Sequence, residues 1–476
     1  MPNPTVAVSA PGKVLLAGGY LVLDRAYTGL VFGLSARINV IAQEIQTSKG
    51  VQLSEIVVES PQFLEATWRY GHHLADDDGG IKVTQLQVGP QINPNPFVET
   101  ALSYALTYIS RAGKHGPSRS IKPARLTILA DNDYYSQPPG AAPSAVTITT
   151  QSPPSSLSSS SSSTPQPPHS SRFIHIPVPL HEAHKTGLGS SAALVTALTA
   201  ALLAHHLPRS AFDPASARGR GLLHNLAQAA HCAAQGKVGS GFDVAAAVYG
   251  GCLYRRFSPR VLAGLSGAGT PGFASKLEAV VEDRAAEEHA SSQPVWDAEI
   301  IAGGAALPPG VAVRMCDVDC GSQTVGMVKK VLAWRDADPQ AARALWDALQ
   351  ARNEGLAAAL REGRTADIPA CVAGVRELVR RMGAESGVPI EPESQTALLD
   401  ALGGVEGVYG GVVPGAGGFD AVALLVKDDK ETEARIEEFL AGWSKEKGER
   451  VSLLRVKGEM EGVKVEELET YHGWLR

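Results

Sequence analysis

The chain has 476 residues, 44% of them apolar and 19% charged, enough to build a sizeable core and to predict roughly two or three domains. Its 43 basic and 49 acidic residues leave a formal net charge of −6, which argues against a nucleic-acid coat or a polybasic membrane anchor but leaves room for a local anion pocket. No apolar run approaches the ~20 residues of a bilayer span, and neither a secretory signal nor a lipidation motif is visible. The five cysteines, Cys232, Cys252, Cys316, Cys320 and Cys371, lack metal-ligand spacing, so reduced thiols in a cytosolic protein are expected.

Strand-like segments open the chain: TVAVSA (5–10), VLLAGGYLVLD (14–24) and LVFGLSARINVIAQEI (30–45), punctuated by Gly and Pro. Between the first two, Pro11-Gly12 reads as a sharp turn that carries Lys13 into a cleft or into solvent. Apolar spacing predicts a helix over Val98–Arg111 after the turn-forming stretch 93–96, then a strand over 126–131. Residues 137–171 are Ser/Pro-rich and cannot bury enough apolar surface to offset their conformational entropy. They read as a disordered insertion between two neighbouring strands, the second being RFIHIPV (172–178). Helices are expected over 190–206 and 218–235. A Gly/Ser-rich variable insertion follows at 264–297 and a strand at 311–319. The remainder reads as helices over 322–335, 339–362, 367–382, 394–402 and 429–446, with strands at 408–413, 420–426 and 451–456.

Two further glycine-rich loops join the Lys13 segment. In KTGLGSSAALVTALTAALLAHHL (185–207), Gly187 and Gly189 precede a strong helix. Backbone N–H groups there can approach an anion, the helix N-terminus adds partial positive charge, and Ser190 and Ser191 can cap the helix or reach a metal-bound phosphate. The string is not a Walker A loop, and GLGSSA meets only the alanine-ending form of the dinucleotide fingerprint, in mid-chain. In VVPGAGGFDAVALLV (412–426), Gly415, Gly417 and Gly418 lie between two strands, where side chains would obstruct a ligand or where a simple hairpin turns.

In order and spacing the three loops resemble those of the GHMP kinases, over nearly the whole chain outside the two insertions. Within that family, APGKVLLAGGYLVLD (10–24), NPFVETAL (95–102), KTGLGSSAA (185–193), AQGKVGSGFDVAAAVYGG (234–251) and DVDCGSQTV (317–325) are similar to the phosphomevalonate kinases. The resemblance implies an α+β fold of two lobes. The N-terminal lobe (1–263) has a ribosomal-S5-like core, the C-terminal lobe (298–476) is an α/β sandwich, and the active site lies in the cleft between them. It implies ATP and Mg2+ as cofactors, and phosphoryl transfer to (R)-5-phosphomevalonate in a cytoplasmic isoprenoid and sterol pathway, with no nucleic-acid or membrane partner.

By that resemblance Lys185, Thr186, Gly187, Leu188, Gly189, Ser190, Ser191 and Ala192 wrap the ATP phosphates, and Asn95 and Pro96 lie on the adenine side. Ser191 matches a magnesium-binding serine, and Lys13 and Asp243 match the catalytic pair. Lys13, Lys237, Ser240, Gly241, Ser322, Gln323, Gly417 and Gly418 are the candidate acceptor contacts, although Ser240 and Ser322-Gln323 read equally as helix caps. Mevalonate kinases carry a magnesium-binding glutamate eleven residues before the aspartate. Here that spacing falls on Cys232, preceded by His231, and a thiol is a poor ligand for a hard cation.

A phosphate acceptor with its second pKa near ~6 needs little deprotonation, but its charge repels ATP. Lys13, Lys185 and Lys237, at the motif edges, form a plausible cationic cluster, and Asp243 is expected to orient Lys13 or the metal more than to remove a proton. Mevalonate kinase, diphosphomevalonate decarboxylase and a non-catalytic sensor of the same fold are the competing readings.

Overall fold

The computed structural model describes residues 3–48, 54–87, 93–112, 121–135, 172–284, 295–318 and 326–475. The Ser/Pro-rich stretch 137–171 and the pair Ser322-Gln323 lie outside them. The first part of the chain forms β1 (Val6–Ala17), β2 (Gly29–Glu44), β3 (Glu55–Glu59), β4 (Phe63–Leu64), β5 (Thr67–Ala75), β6 (Gly80–Leu86), α1 (Pro96–Ala112), β7 (Ala124–Ala130) and β8 (Ile176–Pro179). The helical layer follows as α2 (Ser190–His206), α3 (Ala217–Gln235) and α4 (Phe242–Tyr249), then β9 (Cys252–Arg255), α5 (Arg260–Ala263), α6 (Phe273–Val281) and β10 (Glu299–Ala302). The rest comprises β11 (Val311–Val318), α7 (Met327–Ala337), α8 (Pro339–Arg361), α9 (Ile368–Ser386) and α10 (Glu393–Leu402). It ends with β12 (Val408–Val412), β13 (Ala421–Lys427), α11 (Lys430–Lys447), β14 (Val451–Glu459) and β15 (Lys464–Glu466).

One mixed sheet carries the strand order β12-β13-β11-β14-β2-β7-β3-β5-β6, with β1 between β2 and β15, and β9 between β2 and β10. β14 is the hinge of this arrangement. It pairs with β11 over most of its length and with β2 at Gly458↔Leu34 and Glu459↔Gly33. Helix α2 is Ala-, Leu- and Thr-rich and buried almost all round, as befits a helix enclosed by protein. It packs on β1, β2, α1, α3 and α4. Helix limits follow local chemistry. Ser216 Oγ accepts from the Gly219 N–H at 2.9 Å to start α3, and Gly236 ends it in the left-handed region at φ 67°.

Several expectations are corrected. Pro11-Gly12 is not a turn: β1 runs straight through it, and the pairing with β2 shifts from Pro11↔Arg37 to Gly12↔Leu34. Ser35 and Ala36 thereby bulge from β2, and the missing proline N–H costs little at such an irregularity. The segment 14–24 leaves the sheet after Ala17. Gly18 and Tyr20 take positive φ, and Leu21–Leu23 form a 3-10 turn. Segment 172–178 does not continue the main sheet beside β7; β8 pairs in parallel with β4 in a separate two-stranded sheet. β3, β5 and β6 went unread, although the inward Trp68, Tyr70 and His72 of β5 alternate with more exposed neighbours.

The segment 264–297 carries α6, whose Phe273 and Leu277 are fully buried against α1 and α3. β10 pairs with β9, and β15 with β1, so residues 299–302 and 464–466 join the sheet of the first part of the chain. The chain end is tied there by Arg37, which donates to Ser9 Oγ at 2.7 Å, to Glu459 Oε2 at 3.0 Å and to the Gly462 carbonyl. Tyr471 Oη donates to Asn39 Oδ1 at 2.9 Å. No described helix is long and apolar enough to cross a membrane.

Because Phe273 is core and not loop, Phe273→Ala is expected to cost about 3–5 kcal/mol, read as a lowered urea midpoint at unchanged slope. A cost under about 1 kcal/mol would mean that the 264–297 segment is a passive insertion.

Candidate active site

The site grows from the contact between β1 and the loop that precedes α2. The Lys13 N–H donates to the Leu188 carbonyl at 2.9 Å, so the loop is held to the strand beside its lysine. Gly12 permits this approach: a Cβ there would meet Leu188 O and Tyr134 Oη at 2.9 Å. Gly189 stands at φ +81°, and its Cβ would meet Lys13 Cγ and Cε at 2.8 Å. Glycine therefore serves both the left-handed backbone and the passage of the lysine stem. The Lys13 ammonium lies 5.6 Å from the centroid of the Phe242 ring. Burial pushes its pKa below the ordinary lysine value, while the Asp243 carboxylate opposes that shift.

Gly189 is the N-cap of α2, whose first turn holds no acidic residue and receives no side-chain cap. Its leading N–H groups and its dipole are thus left for an anion, with Ser190 and Ser191 in the same turn. At Gly187 (φ +73°) the space a Cβ would take is open. The other loop residues are held by the protein or stand at its surface. Thr186 Oγ1 donates to the Asp133 carbonyl at 2.7 Å, Leu188 and Ala192 are core, and Lys185 is exposed beside its bridge partner Tyr135.

Opposite the loop, α3 and the start of α4 supply the acidic side. Asp243 lies in the first turn of α4, entered through Gly241 at φ +86°. A Cβ on Gly241 would meet Tyr254 Oη at 2.6 Å and Gln228 Oε1 at 2.8 Å. Asp243 Oδ1 accepts from the Val244 N–H at 3.0 Å, and Asp243 Oδ2 lies 3.8 Å from His231 Nδ1. The other ring nitrogen, Nε2, is 3.2 Å from Ser191 Oγ and 3.3 Å from Gln235 Nε2.

Residue spacing had put Cys232 at this position, but the side chain of α3 that faces Ser191 and Asp243 is His231. Adjacent helical residues diverge by about 100°. Cys232 Sγ instead accepts from Gln228 Nε2 at 3.2 Å, and burial pushes its thiol pKa up, so it stays protonated and is no ligand for a hard cation.

The expected cationic cluster is only partly assembled. Lys13 is half-buried, whereas Lys185 and Lys237 are exposed. Lys237 follows the C-cap of α3, where its N–H donates to the Cys232 carbonyl at 3.2 Å. A cation the sequence reading passed over is Arg256. It donates to the carbonyls of Val238 (3.1 Å), Gly239 (2.9 Å) and Leu23 (2.8 Å), joining the loop before α4 to the turn after β1. Ser240 gives its carbonyl to Tyr254 Oη at 2.7 Å.

Asn95 caps α1, its Oδ1 accepting from the Val98 N–H at 3.3 Å, and Pro96 is the first helical residue. The next residue, Phe97, brings α1 to the site, its ring centroid 5.6 Å from that of His231. Gly417 and Gly418 take positive φ against protein: a Cβ on Gly417 would meet Ile390 O at 2.2 Å, and the Gly418 N–H donates to the same carbonyl at 2.8 Å.

The family model for the GHMP kinases N terminal domain matches residues 173–251, which span the glycine loop, α2, α3 and α4. A phosphomevalonate kinase of Gibberella zeae is 60% identical over 473 residues, 99% of each chain. That of Aspergillus fumigatus is 46% identical, covering 100% of this chain and 99% of the relative. Among solved structures, Streptococcus pneumoniae phosphomevalonate kinase in complex with phosphomevalonate and AMPPNP aligns with a TM-score of 0.59 at 16% identity, over 95% of this chain and 100% of that one. That likeness shows a shared α+β GHMP kinase fold. Given similarity along the whole chain to the fungal enzymes and a lysine, a glycine loop and an aspartate gathered around the N-termini of α2 and α4, the chain belongs to the phosphomevalonate kinase family of the GHMP kinases.

Proposed function

We propose that this protein transfers the γ-phosphoryl group of ATP to (R)-5-phosphomevalonate, giving (R)-5-diphosphomevalonate and ADP in the mevalonate pathway. The observation that carries this reading is the half-buried Lys13, held between the phosphate loop and Asp243. An oxygen of the acceptor phosphate attacks the γ-phosphorus while the bond to the leaving ADP oxygen breaks. The acceptor is already mostly dianionic at neutral pH, so the dominant difficulty is charge repulsion, not proton removal. A lysine in a low-dielectric setting offsets that repulsion more strongly than the same charge in water.

The uncapped start of α2 and the loop from Lys185 to Ala192 hold the ATP phosphates, with Asn95 and Pro96 toward the base. Ser240, Gly241, Gly417 and Gly418 border the acceptor, and the exposed Lys185 and Lys237 attract both anions toward the mouth.

Ser191 Oγ and the Asp243 carboxylate, on opposite nitrogens of His231, are hard oxygen donors of the kind Mg2+ takes, with phosphate oxygens and water completing its shell. Ser191 would hold the ion directly and Asp243 through water, and the ion when bound neutralises charge on the phosphate oxygens. Asp243 orients Lys13 and the ion instead of acting as a base. We place the reaction in the cytosol; the Arabidopsis relative is named as peroxisomal, and a fluorescent fusion in the native cell separates the two compartments.

In an ADP-release assay offering mevalonate, 5-phosphomevalonate, 5-diphosphomevalonate, homoserine and galactose separately, turnover is expected with 5-phosphomevalonate alone. Silence with every acceptor despite ATP binding would favour the sensor. Lys13→Met should lower kcat by roughly 10²–10³-fold, and Asp243→Asn by less. Complete loss in Asp243→Asn with activity kept in Lys13→Met would overturn this division of roles. Because burial depresses the Lys13 pKa, its charge is lost as pH rises through that lowered value. The alkaline limb of kcat should therefore fall below the ordinary lysine range of about 10.4.

A further inference from the structure

The described structure contains a continuous polar chain, Ser191–His231–Asp243, that the phosphoryl-transfer scheme leaves without a role for its middle member. His231 is 2% exposed. Its ring lies beside Phe97, and its polar neighbours are Ser191, Gln235 and Asp243.

The partners fix the proton. An ionised carboxylate only accepts, so the ring nitrogen that faces Asp243 is the one that carries the proton. Nε2 is then the bare nitrogen, and the Ser191 hydroxyl, 3.2 Å away, donates to it, with the Gln235 amide alongside at 3.3 Å. The ring proton therefore sits on Nδ1, facing Asp243 Oδ2 at 3.8 Å. That distance is an electrostatic contact and not a hydrogen bond, so it orients the carboxylate without tying it down.

A consequence follows for the serine. A hydroxyl has one proton and two lone pairs. With the proton directed inward to His231, the lone pairs of Ser191 are left for a cation or a phosphate-bound water. With the opposite tautomer, Nε2–H would occupy a lone pair of Ser191 and turn Nδ1 toward the carboxylate as a second acceptor, which is repulsive.

We propose that His231 is a positioning residue. It accepts the Ser191 hydroxyl proton at Nε2, presents Nδ1–H to Asp243, and so holds a serine oxygen and a carboxylate oxygen in fixed relation across the phosphate loop. It touches neither the acceptor nor the transferred group. The proposal rests on the kinase reading for its effect on turnover, but the tautomer and the two contacts do not depend on which acceptor is used.

The test combines spectroscopy of the full chain with two variants. In the ¹⁵N-labelled protein, imidazole correlations of His231, assigned by their loss in the variants, should show a protonated Nδ1 and a bare Nε2. His231→Leu should lower kcat by roughly tenfold to a hundredfold, with both KM values changed by less than about threefold. Its thermal midpoint should stay within a few degrees. His231→Gln, whose side-chain carbonyl can accept from Ser191, should recover part of kcat. Calorimetry should show that the gain in ATP affinity on adding Mg2+ shrinks in His231→Leu.

Unchanged kcat in folded His231→Leu, an unchanged Mg2+ gain, or a protonated Nε2 in the wild-type protein would each overturn the proposal. If His231→Leu does not fold, the wild-type spectrum and His231→Gln decide. Should the wild-type protein turn over no phosphate acceptor, the kinase reading fails, while the spectrum and the ATP titrations still judge His231.

Discussion

The close approach of β1 to the loop before α2 is the constraint on which the site depends. The approach is close enough that a side chain would obstruct it at two points, and both are glycine. Gly12 lets Leu188 and Tyr134 come in, and Gly189 lets the Lys13 stem pass. One hydrogen bond, from the Lys13 N–H to the Leu188 carbonyl, then fixes a half-buried lysine and a helix N-terminus to each other. Neither would suffice alone. A helix N-terminus offers about half a unit charge, and a free lysine would spend rotamer entropy each time it engaged a ligand.

Electrostatically the site depends on depth more than on the number of cations. Lys185 and Lys237 are exposed, so their attraction acts through water and falls off over about 8 Å at physiological salt. Lys13 is half-buried, and the partial loss of water makes its charged form costly enough to depress its pKa. The same burial makes that charge effective on a neighbouring phosphate. Asp243 limits the penalty. Its own position is set by the Val244 N–H and by His231, so the charge on one side of the site is braced from the helix layer on the other.

Those parts of the sequence whose local pattern coincides with their tertiary role were legible. GLGSSAA running into an Ala/Leu-rich segment could only be a glycine loop opening a buried helix, and α2 begins and ends where the pattern does. Four features failed to show for physical reasons. Pro11-Gly12 has turn chemistry, but cross-strand pairing with β2 keeps the strand extended and displaces the irregularity into its partner. His231 was masked by counting residues to Asp243, because a count in the chain ignores the helical phase that points Cys232 at Gln228. Gly417 and Gly418 show that an anion loop and a close protein contact call for the same residue. Here the carbonyl of Ile390 already occupies the space a side chain would need. Arg256 gave no signal, since its partners are carbonyls scattered over residues 23 to 239.

β1 also governs the far side of the site. Two residues beyond Lys13, the Leu15 carbonyl accepts from the Gly415 N–H at 3.1 Å, and Tyr20 Oη donates to the Ala416 carbonyl at 2.7 Å. Gly19 has no room for a Cβ, which would stand 2.1 Å from the Gly415 carbonyl. The loop before α2 and the loop between β12 and β13 are therefore hung on the same strand, at positions of the same parity. Register shifts against β2 fall at Pro11/Gly12 and Leu15/Ala17, on either side of those attachment points. Because a one-residue slip would send Lys13 to the opposite face, the irregular pairing that looks like a defect in the sheet is what keeps both glycine loops and the lysine in one frame.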